Sequence, residues 1–214
     1  MEARNVIELA AVLMGEDDMV EIVQAGIFGE DGDTDKLTDN GHKTVDLLLK
    51  CLDSVVQEIC VDYAKIRCST VYDVKNGEFD LSDFAENECV PVIGINYIVN
   101  TESLLRLPFM VAGETVKIMD GAFSDGEVIV DYNMLLNVSS LEDDLAGLAE
   151  LGITERILAY GVASTYRTVK AGRMGEEYYW ERLYCDALEE ATGIKTTVIN
   201  PYKRRLHGID NLIK

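Results

Sequence analysis

Three aspartates at alternate positions, Asp31, Asp33 and Asp35 in DGDTDK, are the residues best spaced for chemistry. Carboxylates in that pattern open the calcium loop of an EF-hand. The pattern then breaks. Its sixth position holds Lys36 where a glycine makes the turn, and its twelfth holds His42 where a bidentate glutamate closes the shell. Asp31, Asp33 and Asp35 are therefore weak metal candidates, and residues 29–41 read as an acidic, solvated loop. His42 and His207 are the whole supply of imidazole, and neither has a partner at relay or ligand spacing. The cysteines Cys51, Cys60, Cys68, Cys89 and Cys185 are odd in number, widely spaced and free of any CxxC pair. They read as reduced, mostly buried thiols. No GxSxG, HExxH, Walker A or dinucleotide fingerprint occurs. The expectation is a protein without catalytic residues, metal or cofactor.

Charge points the same way. The chain of 214 residues carries a formal net charge of −20, which favours solubility and repels nucleic acid. The imbalance is uneven. Residues 194–214 hold Lys195, Lys203, Arg204, Arg205 and Lys214 against Asp210 alone. An acidic body with a basic tail implies an acidic docking place for the tail. The N-terminal MEARNVIELA has no basic segment leading into an apolar one, so no secretion signal is expected. The longest apolar runs, such as VIGINYIV, are too short to span a bilayer.

The elements that position these residues follow from hydrophobic spacing. Residues 3–14 read as a short helix stopped at Gly15, and residues 16–28 as a second one with acids in its first turn. Residues 43–64 form the clearest helix, since Val45, Leu48, Leu49, Leu52, Val55, Val56, Ile59 and Tyr63 recur at three- and four-residue steps. The period then shortens. Strands are expected at 66–74, 88–99, 109–119 and 126–135, with a tight turn at Asn76-Gly77 and an edge or strand-start position at Pro91. Ser139 and Glu142 fit a capping box ahead of a short helix that Gly152 closes. Thr154 caps a helix to about residue 171, and a last helix covers 176–192 with Gly193 behind it. The expected class is α+β: a single domain whose helical bundle (1–65 and 138–193) carries a small, mostly antiparallel β insertion (66–137) and an extended C-terminal arm (194–214).

The two helices at 154–192 raise the functional question. Ala159, Gly161, Ala163 and Ser164 let a neighbouring helix approach closely. Trp180, Leu183, Tyr184, Ala187, Leu188 and Ala191 form a core stripe on the second helix. Tyr178, Tyr179 and Trp180 are consecutive, so all three cannot face one core, and an exposed tyrosine favours an interface. In the tail, Tyr202, Leu206 and Ile209 supply anchors, while Lys203, Arg204 and Arg205 supply charge steering. Tyr178, Tyr179, Tyr202, Lys203, Arg204, Arg205, Leu206 and Ile209 are the candidate protein-interface residues. A nucleic-acid patch in the tail is the weaker reading on so acidic a chain.

The second half of the chain also carries a resemblance. The strand EVIVDYNML, an acidic capped helix, the helix ERILAYGVASTY, a glycine-bearing turn and EEYYWERLYCDAL resemble phage head–tail connector proteins, most closely adaptors of the tail tubular protein A type. The elements that match are Val130, Asp131 and Tyr132 at a strand end, the helix with small residues and tyrosine, and Tyr179, Trp180, Arg182, Tyr184 and Leu188 on the last helix. Loop 29–41 matches no part of the pattern. The resemblance implies a structural virion protein at the head–tail junction, assembled from the host cytoplasm. It implies a homo-oligomeric ring of about twelve copies between the portal protein and a downstream tail or ring protein. Genome DNA would pass through the ring without specific binding, and no membrane would be involved. The alternative is a cytosolic oligomeric protein-interaction module without catalysis.

Overall fold

In the computed structural model, the described residues are 1–15, 20, 21, 23, 35–82, 92–171 and 176–194. Among them the chain is α+β, as expected. It divides into two compact units, where a single domain with an insertion is expected. One is helical, Met1–Ile59 with Asn137–Lys214, and the other is β, Cys60–Leu136.

The helical unit begins with α1 (Ala3–Met14), which ends at Gly15 in a left-handed conformation, φ 66°. Its buried face is Ala3, Val6, Ile7, Ala10, Ala11 and Met14, one stripe at helical spacing. Val20, Glu21 and Val23 are helical, and the rest of the segment expected at 16–28 lies outside the described residues. The long helix α2 (Asp35–Glu58) starts earlier than the apolar period suggests. Residues 35–41, expected in the loop, are its first two turns. The apolar stripe begins only at Val45 because these turns carry polar residues, and the aspartates among them suit the positive end of the helix dipole. A π-helical turn, Ile59–Tyr63, follows α2.

The helix expected after Ser139 is shorter and capped differently. Residues 139–144 form a turn, and α3 is only Ala146–Glu150. Asp143, not Glu142, collects the donors: the Ser139 and Ser140 amides at 2.6 and 2.8 Å and the Ser140 hydroxyl at 2.8 Å. Burial would raise the Asp143 carboxyl, but these bonds outweigh it and hold the group below its usual range. Glu142 instead accepts from Arg4 Nη2 at 2.9 Å. The same turn anchors the chain start, with the Ala3 and Arg4 amides donating to the Asp143 and Leu141 carbonyls at 3.0 Å each.

The two long C-terminal helices, α4 (Glu155–Ala171) and α5 (Glu176–Thr192), match expectation. Helix α4 is the centre of this unit and packs against α1, α2 and α5. Residues 157–163 are all buried, so α4 has no solvent face over two turns. Arg167 on α4 donates to the Met14 carbonyl at 3.2 Å, satisfying an end carbonyl of α1.

The β unit holds two antiparallel sheets. The larger, in the order β1-β7-β3-β4, uses β1 (Ile66–Val74), β3 (Val92–Asn100), β4 (Arg106–Leu107) and β7 (Gly126–Met134). The smaller, in the order β2-β6-β5, uses β2 (Glu78–Asp80), β5 (Phe109–Ala112) and β6 (Thr115–Ile118). They share one core of Val74, Phe79, Ile98, Leu107, Val116, Ile118, Val128, Val130 and Tyr132. Asn76 and Gly77 make the expected turn with φ 56° and 68°, the positive pair of a mirror-image turn. Yet the turn closes no hairpin ladder beyond the single bridge Lys75↔Glu78, because β1 pairs with β7 and β2 with β6. The single strand expected at 109–119 is a hairpin, β5 and β6, joined at Gly113-Glu114. Gly113, with φ 66°, followed by Glu114 was the available turn signal in this stretch. Pro91 lies outside the described residues, and β3 behind it is an inner strand.

Candidate interaction surface

The hairpin of α4 and α5 closes over its smallest residue. A Cβ added to Gly161 would lie 2.7 Å from Val55 Cγ1 on α2 and 3.0 Å from Tyr184 Cε2 on α5. Glycine at this position is what lets three helices meet. The stripe expected on α5 is only partly core: Tyr184 and Leu188 are buried, Trp180, Leu183 and Ala187 half-buried, and Ala191 exposed.

From that core an aromatic row leads outward. Tyr160 on α4 is buried, and its ring centre lies 6.0 Å from Trp180. Trp180 in turn meets Tyr179 edge-on at 5.1 Å. Tyr179 is 60% exposed, so the exposed tyrosine expected from the consecutive aromatics is there. Beside the row an open groove of about 390 Å³ runs between α4 and α5, lined by Gly152, Thr154, Arg156, Ile157, Tyr160, Ala187, Glu190 and Ala191. Arg156 Nε donates to the Tyr160 hydroxyl at 2.6 Å, which fixes the tyrosine along the groove. The lining combines small residues, Gly152, Ala187 and Ala191, with Ile157, one aromatic ring, Tyr160, one base, Arg156, and one acid, Glu190. Such a surface can receive apolar side chains.

The other expected site residues fall elsewhere. Tyr178 is on α5, but its side chain lies outside what is described, as do Tyr202, Lys203, Arg204, Arg205, Leu206 and Ile209 entirely. Asp31 and Asp33 also lie outside the described residues, while Asp35 opens α2. From Asp35 to His42 the chain is helical, not the loop that an EF-hand calcium site would continue through. Among the described residues no group of three His, Cys, Asp or Glu side chains could hold a metal ion. Cys51, Cys60 and Cys185 are buried and Cys68 is half-buried, and none of the four is in a disulfide.

One cluster escaped the sequence reading. Asp131 is 4% exposed although it lies on the outward face of β7. Arg67 Nε reaches both of its oxygens, at 2.8 and 3.0 Å, Asn96 Nδ2 donates at 2.8 Å, and the Ser69 hydroxyl lies at 3.4 Å. A bulge between Ile95 and Tyr97 turns both Asn96 and Tyr97 toward this face. Arg67 and Arg106 then stand over the Tyr97 ring, 5.3 and 4.7 Å from its centre. The cover over Asp131 is thus its own partners. Burial would raise its carboxyl, but the bonds from Arg67, Asn96 and Tyr97 outweigh that and keep it below its usual range. A carboxylate so held is a poor proton acceptor, and its place across three strands pins their register. Arg67 and Ser69, two apart on β1, were the available signal. Their common partner depended on strand register.

The sequence matches no protein-family model, and no curated protein resembles it significantly. Among the described residues no helix is long and apolar enough to cross a membrane.

Proposed function

We propose that this chain is a structural, ring-forming adaptor of the phage head–tail connector kind, placed between portal and tail. The observation that carries the reading is the aromatic row ending in exposed Tyr179 beside the α4–α5 groove. A chain of net charge −20 that keeps an aromatic surface of this kind has a partner for it, and the simplest partner is another copy. The acid excess suits a channel wall that repels phosphates and lets DNA slide. The basic segment at Lys203, Arg204 and Arg205 then serves as a docking arm for the portal, the next subunit or the next ring.

Negative-stain microscopy and sedimentation of the purified chain test this reading. Closed rings support it, and Tyr179→Ala should shift them to smaller species. Discrete dimers would favour the alternative, a cytosolic interaction module. Immunogold labelling of purified particles tests the virion role, and label absent from head–tail junctions would overturn it. Replacing Lys203, Arg204 and Arg205 by alanine should leave the fold intact and weaken docking onto the next component. Unchanged docking would remove the role given to the arm.

A further inference from the structure

The turn between β3 and β4 presents two bare leucines. Leu104 is 73% and Leu105 66% exposed, the largest values for large apolar side chains among the described residues. Leu104 also has φ 56°, a left-handed conformation that a leucine rarely adopts. The turn is nevertheless tightly built. The Asn100 side-chain oxygen accepts from the Glu102 and Ser103 amides at 2.8 Å each. The Leu104 amide donates to the Asn100 carbonyl at 2.9 Å, and the Asn100 amide to the Leu105 carbonyl at 3.0 Å. Thr101 fastens the loop to the Glu127 carbonyl through its amide and its hydroxyl, at 3.2 and 3.0 Å. Strain held in place by so many bonds keeps two apolar side chains in water, an arrangement with no benefit to a lone chain.

We infer that this turn is a knob that seats in the α4–α5 groove of a second copy. The two surfaces complement each other in three ways. The knob offers two branched apolar side chains, and the groove offers about 390 Å³ with Ile157, Ala187 and Ala191 among its lining. The knob is flanked by one acid and one base, Glu102 and Arg106, and the groove rim by one base and one acid, Arg156 and Glu190. The knob is preorganised, so little conformational freedom is lost on seating. Knob and groove are different surfaces, so copies joined in one direction run head-to-tail and close a ring or extend a filament, whereas two copies that exchange knobs would close a two-fold dimer. The inference rests on the self-association in the proposed function and is independent of the virion role.

Three proteins test it by sedimentation, with circular dichroism to confirm folding: the wild type, Leu104→Asp/Leu105→Asp, and Ala191→Trp. If Ala191→Trp does not fold, Ala191→Lys blocks the same exposed position. The wild type should form species larger than dimers. Each variant should weaken self-association at least ~30-fold, the scale of a lost hot spot. The two variants mixed in equal amounts should form dimers and nothing larger, because the pair retains one working knob and one working groove. Variants that assemble like the wild type overturn the knob and groove while leaving the ring reading intact. A mixture that stays monomeric overturns the head-to-tail pairing. A wild type monomeric at every concentration overturns both this contact and the ring.

Discussion

The two units protect their polar and apolar groups in opposite ways. In the helical unit, α4 is surrounded by α1, α2 and α5, and its fit depends on a missing side chain at Gly161. In the β unit, the larger sheet is packed on one face only, and its outward face is organised by a carboxylate, Asp131, under Arg67 and Tyr97. The first arrangement fails when volume is added. The second fails when a hydrogen-bonding group is removed. A helix buried on all sides has no room to adjust, whereas a sheet face open to water can rehydrate what is lost.

This contrast can be broken in order of severity. Gly161→Val should cost about 3 kcal/mol in urea unfolding, the upper range for overpacking. Gly161→Ala should cost about 1–2 kcal/mol, since closer contacts outweigh a helix-propensity gain of about 1. Adding Val55→Ala should recover part of that loss. Strictly additive costs would show that Val55 does not set the limit. Asp131→Ala should cost about 2 kcal/mol, less than the roughly 3–5 of a deeply buried pair, because Arg67 stays open to water. An effect above that of Gly161→Val would reverse the comparison.

Acid tests a carboxylate in each unit, and alkali a thiol in the helical one. Asp131 and Asp143 have carboxyls held low, so their contribution is full above the unfolded value of about 4 and fades as pH falls through the folded one. The stability difference between wild type and Asp131→Asn should therefore shrink below pH 4, and a difference constant with pH would contradict the pairing. Burial pushes the Cys51 thiol in α2 from 9.0 to about 12. The unfolded chain then loses its proton first, and stability should fall by up to about 1.4 kcal/mol per unit above pH 9. Cys51→Ala should flatten that alkaline slope.

The smallest effects concern the surfaces assigned to partners. Leu104→Asn should raise stability by about 1 kcal/mol, because asparagine tolerates positive φ, and at the same time weaken assembly. A loss of stability would mean the leucine packs within its own chain. Tyr179→Ala should change thermal stability within about 0.5 kcal/mol and act on assembly alone.

Much of this was legible in the residues. Helical spacing placed α1, α4 and α5, alternation placed β1 and β7, and the consecutive Tyr178, Tyr179 and Trp180 announced an exposed aromatic. The misses share a cause. The start of α2 at Asp35 was hidden by polar residues that satisfy a helix dipole without an apolar period. The β5–β6 hairpin turns on Gly113-Glu114, a glycine-bearing pair lying between apolar residues on both sides. Asp143 outcompeted Glu142 for the serine amides through turn geometry that spacing alone does not specify.

By itself the sequence determined the α+β class, the periods of the main elements and the acid excess, because these depend on neighbours along the chain. Only the tertiary structure decided that α4 has no solvent face over residues 157–163, that Asp131 gathers Arg67, Ser69 and Asn96, and that Leu104 and Leu105 stand bare on a rigid turn. The first two rest on residues distant in sequence, whose meeting is set by register and close packing, and the third on a local Asn100 turn fastened to the distant Glu127 carbonyl.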